Sequence, residues 1–315
     1  MAVMVRGSFG DLMDVRYREI QAEEVELVRD QDMIPFLWKV TPPTTPLRDT
    51  ERYSEISGLP RAGQFTGSLD YASSSQGYDV TATYFEIAQG MQIERLLVEY
   101  DQFDVIDDRS RALFDSMWRR RQHDGQRFLR NAFGVDTLFY NHTEGVALCS
   151  DTHTTTTGAS TAEGFDNLGT SALTATTVTA AQLQMRDFRD LQAEPIQVVG
   201  DTIIAPVNLY ETVFEIVASL GKVDTAQNNR NVHYGAYTLI LLPNKVDFPD
   251  TNDWFMVDSK LHKRYSHWFD QVWPGGGPEF GSAEEFDTFV AKYRAYGRYT
   301  NVIRKWQPFM GHQVS

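Results

Sequence analysis

The sequence predicts an α+β protein with an unusual distribution of parts, and three observations carry that expectation. An apolar stripe with helical period runs from about Asp104 to Phe133. A block reading helix, strand, helix, strand, strand occupies the middle of the chain. Near the end, "VAKYRAYGRYTNVI" alternates side to side as a strand does, with Lys292, Arg294, Tyr296 and Arg298 giving it one basic face.

In chain order, residues 1–51 form an arm. An acidic helical stretch, "REIQAEEVELVRDQ", precedes "VTPPTTPLRDT", whose prolines hold the backbone extended and withhold ladder donors. This stretch reads either as a flexible linker or as an arm that lies along a partner, the latter because Phe36, Leu37 and Trp38 are too apolar for a free tail. Residues 52–90 read as an extended β-hairpin: "QFTGSLDY" and "YDVTATYFEIA" are β-rich, and "ASSSQG" between them reads as a turn. Such a ribbon has no private core and is marginal alone.

Residues 91–169 hold the long helix. Leu113, Met117, Phe128 and Ala132 fall on one stripe, widened by Phe114, Trp118, Leu129 and Phe133. Aspartates crowd its start and arginines its later turns, as the helix dipole favours, and Gly134 supplies a stop. The run Arg119, Arg120, Arg121 reads as a solvated or intersubunit face.

Residues 170–285 are the most domain-like part. Thr179 and Gln182 match a capping box, with Val178 and Leu183 at the staple positions. The strand "IQVVGDTIIA" follows, then a helix with the stripe Leu209, Val213, Ile216, Val217, Leu220 closed by Gly221. "AYTLILLP" and "DWFMVD" read as buried strands, and "WPGGGPEFG" as a loop. Residues 286–315 return as strands.

Composition narrows the function. With 315 residues, 42% of them hydrophobic, the chain can bury a large core. A net charge of −14 argues against a surface built to grip nucleic acid. The single cysteine excludes an intramolecular disulfide framework and suits a reducing compartment. No apolar run is long enough for a membrane helix, and the start lacks the core of a signal peptide.

Cys149, His153 and His142 lie close in sequence, as a nucleophile with its base or as metal ligands would. A nucleophilic thiol needs a setting that lowers its pKa and a third group to orient its base; "SDTHTTTTGAS" offers only hydroxyls. Structural zinc wants four ligands. No phosphate-loop, dinucleotide or HExxH motif occurs. The residues predict no enzyme, cofactor or metal.

An arm, a ribbon, a long helix and a compact domain make a sensible tile, and at this point the chain resembles the major capsid proteins of tailed bacteriophages, with the Hong Kong 97 fold. It is most similar to Mu-like major head subunits. "ALCSDTHTTTTGASTAEGFDNL" stands where that family reads like "ALFS.AHPN…G…NL". "TAAQLQMRDFRDLQAEPIQVVGDTIIAPVNLYETVFEIV" follows the family's capped helix, strand similar to "PDTLVVPP", and helix. "YRAYGRYTNVIRKWQPFMG" resembles its last peripheral strands. The likeness runs from about residue 50 and is fuller from 135.

The resemblance implies an N-terminal arm, an extended hairpin loop, a spine helix with a peripheral sheet, and a compact axial α/β domain. It implies a virion shell assembled in the host bacterial cytoplasm. Partners would be the chain itself in pentamers and hexamers, a scaffold, a portal, a decoration protein, and packaged double-stranded DNA held without sequence specificity; no membrane is involved. Assembly contacts are expected at Phe36, Leu37, Trp38, Arg52, Arg61, Arg119, Arg120, Arg121, Arg294 and Arg298. Deleting residues 1–50 is expected to leave a folded subunit that cannot close a shell, and no N-terminal processing is expected. Some relatives join a hairpin lysine to a neighbour's asparagine; residues 52–90 contain no lysine, so that crosslink is expected to be absent. The other readings are an encapsulin-like nanocompartment and a cytosolic Cys/His hydrolase.

Overall fold

The computed structural model describes residues 19–20, 22–28, 31–42, 47–65, 67, 69, 71–94, 103–221, 230–242, 250–273, 277–285 and 290–315. Much of the expected arm, including residues 1–18 and 43–46, lies outside the described residues, as do residues 274–276 of the expected glycine-rich loop.

The order of elements begins with the short helix α1 (Ile34–Leu37), β1 (Lys39–Thr41), β2 (Thr50–Ile56), β3 (Gln76–Thr83) and β4 (Phe85–Glu94). The long helix α2 (Phe103–Arg130) follows, matching the stripe within a few residues. Then come β5 (Leu168–Gly169), α3 (Ala175–Arg186), β6 (Thr202–Pro206), α4 (Tyr210–Val217), β7 (Thr238–Leu242) and β8 (Trp254–Val257). The chain finishes with α5 (Ser259–Tyr265), β9 (Ser266–Val272), β10 (Glu279–Glu285), β11 (Val290–Ile303) and β12 (Phe309–His312).

β11 organises the first sheet. One edge pairs antiparallel with β4, from Tyr299 opposite Phe85 to Val290 opposite Glu94. The other edge pairs with β10 and then β9, with a bulge between Arg298 and Tyr299. β1 adds parallel to β9. The second sheet runs β5-β12-β8-β6-β7 and mixes parallel and antiparallel pairs. Its strands β6 and β8 are buried along their whole length, as their unbroken apolar runs require. Thus β9 and β10, expected within the 170–285 segment, pair with β11, while the C-terminal β12 joins the block of β6 to β8.

One continuous core of aromatic and aliphatic side chains links α2, both sheets and α3. α2 buries Leu113, Phe114, Met117, Phe128 and Leu129, and also polar Arg121, Gln122, Asp124 and Gln126, because its second half is surrounded. Gly125 lets α1 approach: a Cβ there would stand 2.9 Å from Ile34 Cγ1. Trp38 donates its indole N–H to the Gly125 carbonyl at 2.7 Å.

Several sequence expectations are corrected. Leu37 and Trp38 are sealed in the chain's own core, so deleting residues 1–50 would remove core and not merely an arm. The hairpin pairs β2 with β3, from Thr50 opposite Thr83 to Ile56 opposite Gln76. The described residues of "QFTGSLDY" carry no strand and fall between β2 and β3, and β4 leaves the ribbon for β11. The ribbon also rests on its own chain: Tyr53, Val80, Ala82 and Tyr84 pack with Phe269 and Val302. Finally, α3 starts earlier than expected. Thr174 is its N-cap and makes a reciprocal box with Thr177, a hydroxyl serving in place of Glu or Gln. Thr179 sits inside the helix, bonded to the Ala175 carbonyl, and Leu183 is exposed.

Candidate functional site

The Cys149 corner is a packed polar seat. Cys149 is buried, its N–H donates to the Ala132 carbonyl at 2.8 Å, and burial pushes its thiol pKa up, the wrong direction for a nucleophile. No imidazole hydrogen-bonds its sulfur among the described residues. His153 lies flat on Trp306, 4.2 Å between centroids, with Nδ1 3.2 Å from both Glu144 oxygens and Nε2 3.1 Å from Asn167 Oδ1. His142 stacks on Tyr140, and burial lowers its pKa to about 4 despite nearby Glu144. No group of His, Cys, Asp and Glu among the described residues has the arrangement of a metal site. Burial favours a neutral Glu144, but bonds from His153 and the Thr154 N–H outweigh it and lower its pKa.

This corner holds the hairpin. Thr81 N–H donates to the Asn141 carbonyl at 3.2 Å and Thr143 N–H to the Asp79 carbonyl at 2.9 Å. The Asp79 N–H donates to Thr143 Oγ1 at 2.8 Å, and Tyr78 OH meets Thr154 Oγ1 at 2.5 Å. The other end of the ribbon abuts the 190–194 turn, where Ala193 takes φ 56°.

The expected assembly residues divide. Phe36 is exposed, while Leu37 and Trp38 are not. Arg121 is buried: it donates to Asp270 at 2.7 and 3.3 Å and to Asp32 at 3.2 Å, and lies near the rings of Trp268 and Trp273. It is an internal clamp, which corrects its assignment to an outer face. Arg119 and Arg120 stay outside, Arg120 pairing with Asp124 at 2.9 Å. Arg52 pairs with Asp79 at 2.5 Å and Arg61 with Glu194 at 3.4 Å, both arginines well exposed. Arg294 projects from β11 in the open, and Arg298 pairs with Asp49 at 2.6 Å.

Two apolar surfaces escaped the sequence reading. In and beside the 57–75 connection, Ile56, Leu59, Phe65, Leu69 and Tyr71 are 63% to 88% exposed. On α4 and its approach, Val207, Tyr210 and Phe214 face out opposite the buried Val213 and Ile216. The signal was present: α4 is apolar on both faces, which a surface helix in a monomer has no reason to be. Among the described residues no helix is long and apolar enough to cross a membrane.

Residues 81–308 match the family model described as phage capsid protein. No curated protein matches the chain. Among solved structures, the chain is similar to one from Microbacterium phage Oxtober96, with TM-score 0.54, 11% identity and 90% of each chain covered. It is similar to the capsid of Myoviridae phage XM1, with TM-score 0.52, 9% identity, 88% of this chain and 89% of that one covered. A chain from Mycobacterium phage Adephagia gives TM-score 0.50, 10% identity and 90% coverage of each. At these identities the likeness is one of fold.

Proposed function

The chain belongs to the phage capsid protein family, and from that membership we propose that copies of it close into an icosahedral head around double-stranded DNA. Its fold is of the Hong Kong 97 type, and it is a structural major capsid protein of the virion. The finer kinship with Mu-like head subunits rests on the ordered stretches from residue 135 onward.

The family match is the observation that carries the reading; the exposed apolar surfaces explain how the work is done. A shell sums many modest contacts, and closure links them all. Burying apolar surface yields about 25 cal/mol per Å², so Ile56, Leu59, Phe65, Leu69 and Tyr71 gain on a neighbour what they forgo in the free subunit. Phe36, Arg52, Arg61, Arg119, Arg120, Arg294 and Arg298 remain candidate contacts beside them. Pentamers and hexamers, a scaffold, a portal, a decoration protein and host cytoplasmic assembly complete the proposal. The inner wall is neutral or acidic with scattered arginines, so DNA is held loosely and shells form without it.

The test is expression of the full chain, with and without a co-expressed scaffold, followed by sedimentation and negative-stain microscopy after nuclease treatment. Closed shells that survive nuclease support the reading; a subunit that stays monomeric in both cases contradicts it. Protein cargo in place of DNA inside virion-derived particles would favour the encapsulin-like alternative.

A further inference from the structure

The chain carries 43 acidic against 29 basic side chains, yet one small region gathers cations. Between β11 and β12, Arg304 and Lys305 lie 6.0 and 5.2 Å from the ring of Tyr265, the last residue of α5, and Arg264 lies 5.5 Å from it. Arg304 is also 5.1 Å from the ring of Tyr53. A cavity of about 190 Å³ opens among Tyr53, Glu55, Tyr265, Arg304 and Lys305. One carboxylate, Glu55, lies 2.7 Å from the Lys305 amine. Arg304 donates to the Arg264 carbonyl at 2.8 Å and contacts His267 Nε2 at 2.9 Å, while its buried Nε has no acceptor among the described residues. Among the described residues no carboxylate pairs with Arg264 or Arg304.

We propose that this pocket is an oxyanion site filled by an aspartate or glutamate side chain from a second copy of the chain. The proposal rests on the shell reading above. Three features favour a neighbouring subunit over a DNA phosphate. The cations converge on one tyrosine ring, whereas a duplex backbone is gripped by cations set in a row along successive phosphates. The cavity admits one or two carboxylate side chains and little more. Four consecutive residues of β2 line it, and among the described residues β2 pairs with β3 alone, which leaves its other edge for main-chain bonds from an incoming segment. The excess of acids makes every copy a source of the ligand, and a guanidinium beside an ammonium suits a carboxylate.

The experiment uses shells assembled from an equal mixture of isotope-labelled and unlabelled full-length subunits, treated with a carbodiimide. This reagent condenses a carboxylate with the Lys305 amine only where the two touch. The expected result is a Lys305 link to an acidic peptide in mixed-isotope pairs. In parallel, the double substitution Arg304→Gln with Lys305→Gln should raise the subunit concentration needed for shells about tenfold, a larger effect than the loss of the Glu55 pair and the Arg264 carbonyl bond has on the unfolding midpoint of the free subunit, measured alongside. Lys305 linked only to Glu55 of its own chain, or shells of the double variant at the original concentration, would overturn the proposal. So would shells whose pocket is protected only while DNA is present. If the unaltered chain forms no shell at all, the shell reading falls and this site falls with it.

Discussion

Acid should unfold the free subunit well before its carboxylates are neutralised, through three buried imidazoles. Burial lowers the pKa of His142, His262 and His312 to about 4 each, against an ordinary value of about 6.5. The unfolded chain therefore takes up protons between those limits and the folded chain does not, so stability is lost as pH falls from about 6.5 toward 4. Going from pH 7 to pH 5 costs about 1.8 kcal/mol per ring, on the order of 5 kcal/mol for three. That rivals the whole stability of an ordinary domain. Glu144, whose pKa is lowered in the fold, acts in the same direction at lower pH, where its contribution is lost as the pH falls through and below the ordinary glutamate range. The assay is urea unfolding of unassembled subunits at pH 7, 6 and 5, followed by tryptophan fluorescence. His312 isolates one term: it lies parallel to Trp254 at 4.0 Å, and among the described residues neither ring nitrogen has a partner. His312→Phe keeps a ring against Trp254 and removes the titration, so it should recover about 1.8 kcal/mol of the acid loss. A variant with the same pH dependence as the natural chain would refute the reasoning, as would a stability unchanged between pH 7 and 5.

Three further outcomes are expected. Arg121→Ala strands the Asp32 and Asp270 carboxylates and should cost about 3–5 kcal/mol, read from the shift of the urea midpoint. Removing residues 1–50 takes Ile34, Leu37 and Trp38 out of the core and should yield aggregated or molten protein by near-ultraviolet dichroism; a cooperative native-like melt would show that α1 is dispensable. No lysine occurs between Lys39 and Lys222, so boiling mature particles in detergent should release single subunits near 35.9 kDa, and a ladder of covalent multimers after reduction would speak against it.

Much of this was legible in the sequence where periodicity acts alone. β11 is the stretch "VAKYRAYGRYTNVI" from end to end, because alternation with one buried face leaves no other reading. The stripe of α2 was equally plain. Its surroundings were not: Arg121 sits in a run of three arginines that reads as solvated, and only Asp32 and Asp270, distant in sequence, draw it inward. Leu37 and Trp38 follow the same logic, since their apolarity announced burial but not against which chain. The ribbon was misread because β-propensity favoured "QFTGSLDY", whereas strand pairing selected Thr50–Ile56, which places Glu51 and Tyr53 toward the body. A threonine-rich approach hid the start of α3, because Thr174 and Thr179 each begin a plausible cap.

The pairing of β11 with β4 sets a clock for the newborn chain. Phe85–Glu94 meets its ladder partner only when Val290–Tyr299 has been made. At about 5–20 residues per second, that wait is roughly 10–40 s. Throughout it the first sheet lacks its central strand, and α2 has no second wall to lie against. A subunit that becomes itself only with its last thirty or so residues cannot offer finished contacts while still tethered to a ribosome. Polymerisation is thereby deferred to released, whole molecules, and a chain that stops short is excluded from the lattice by its own missing strand.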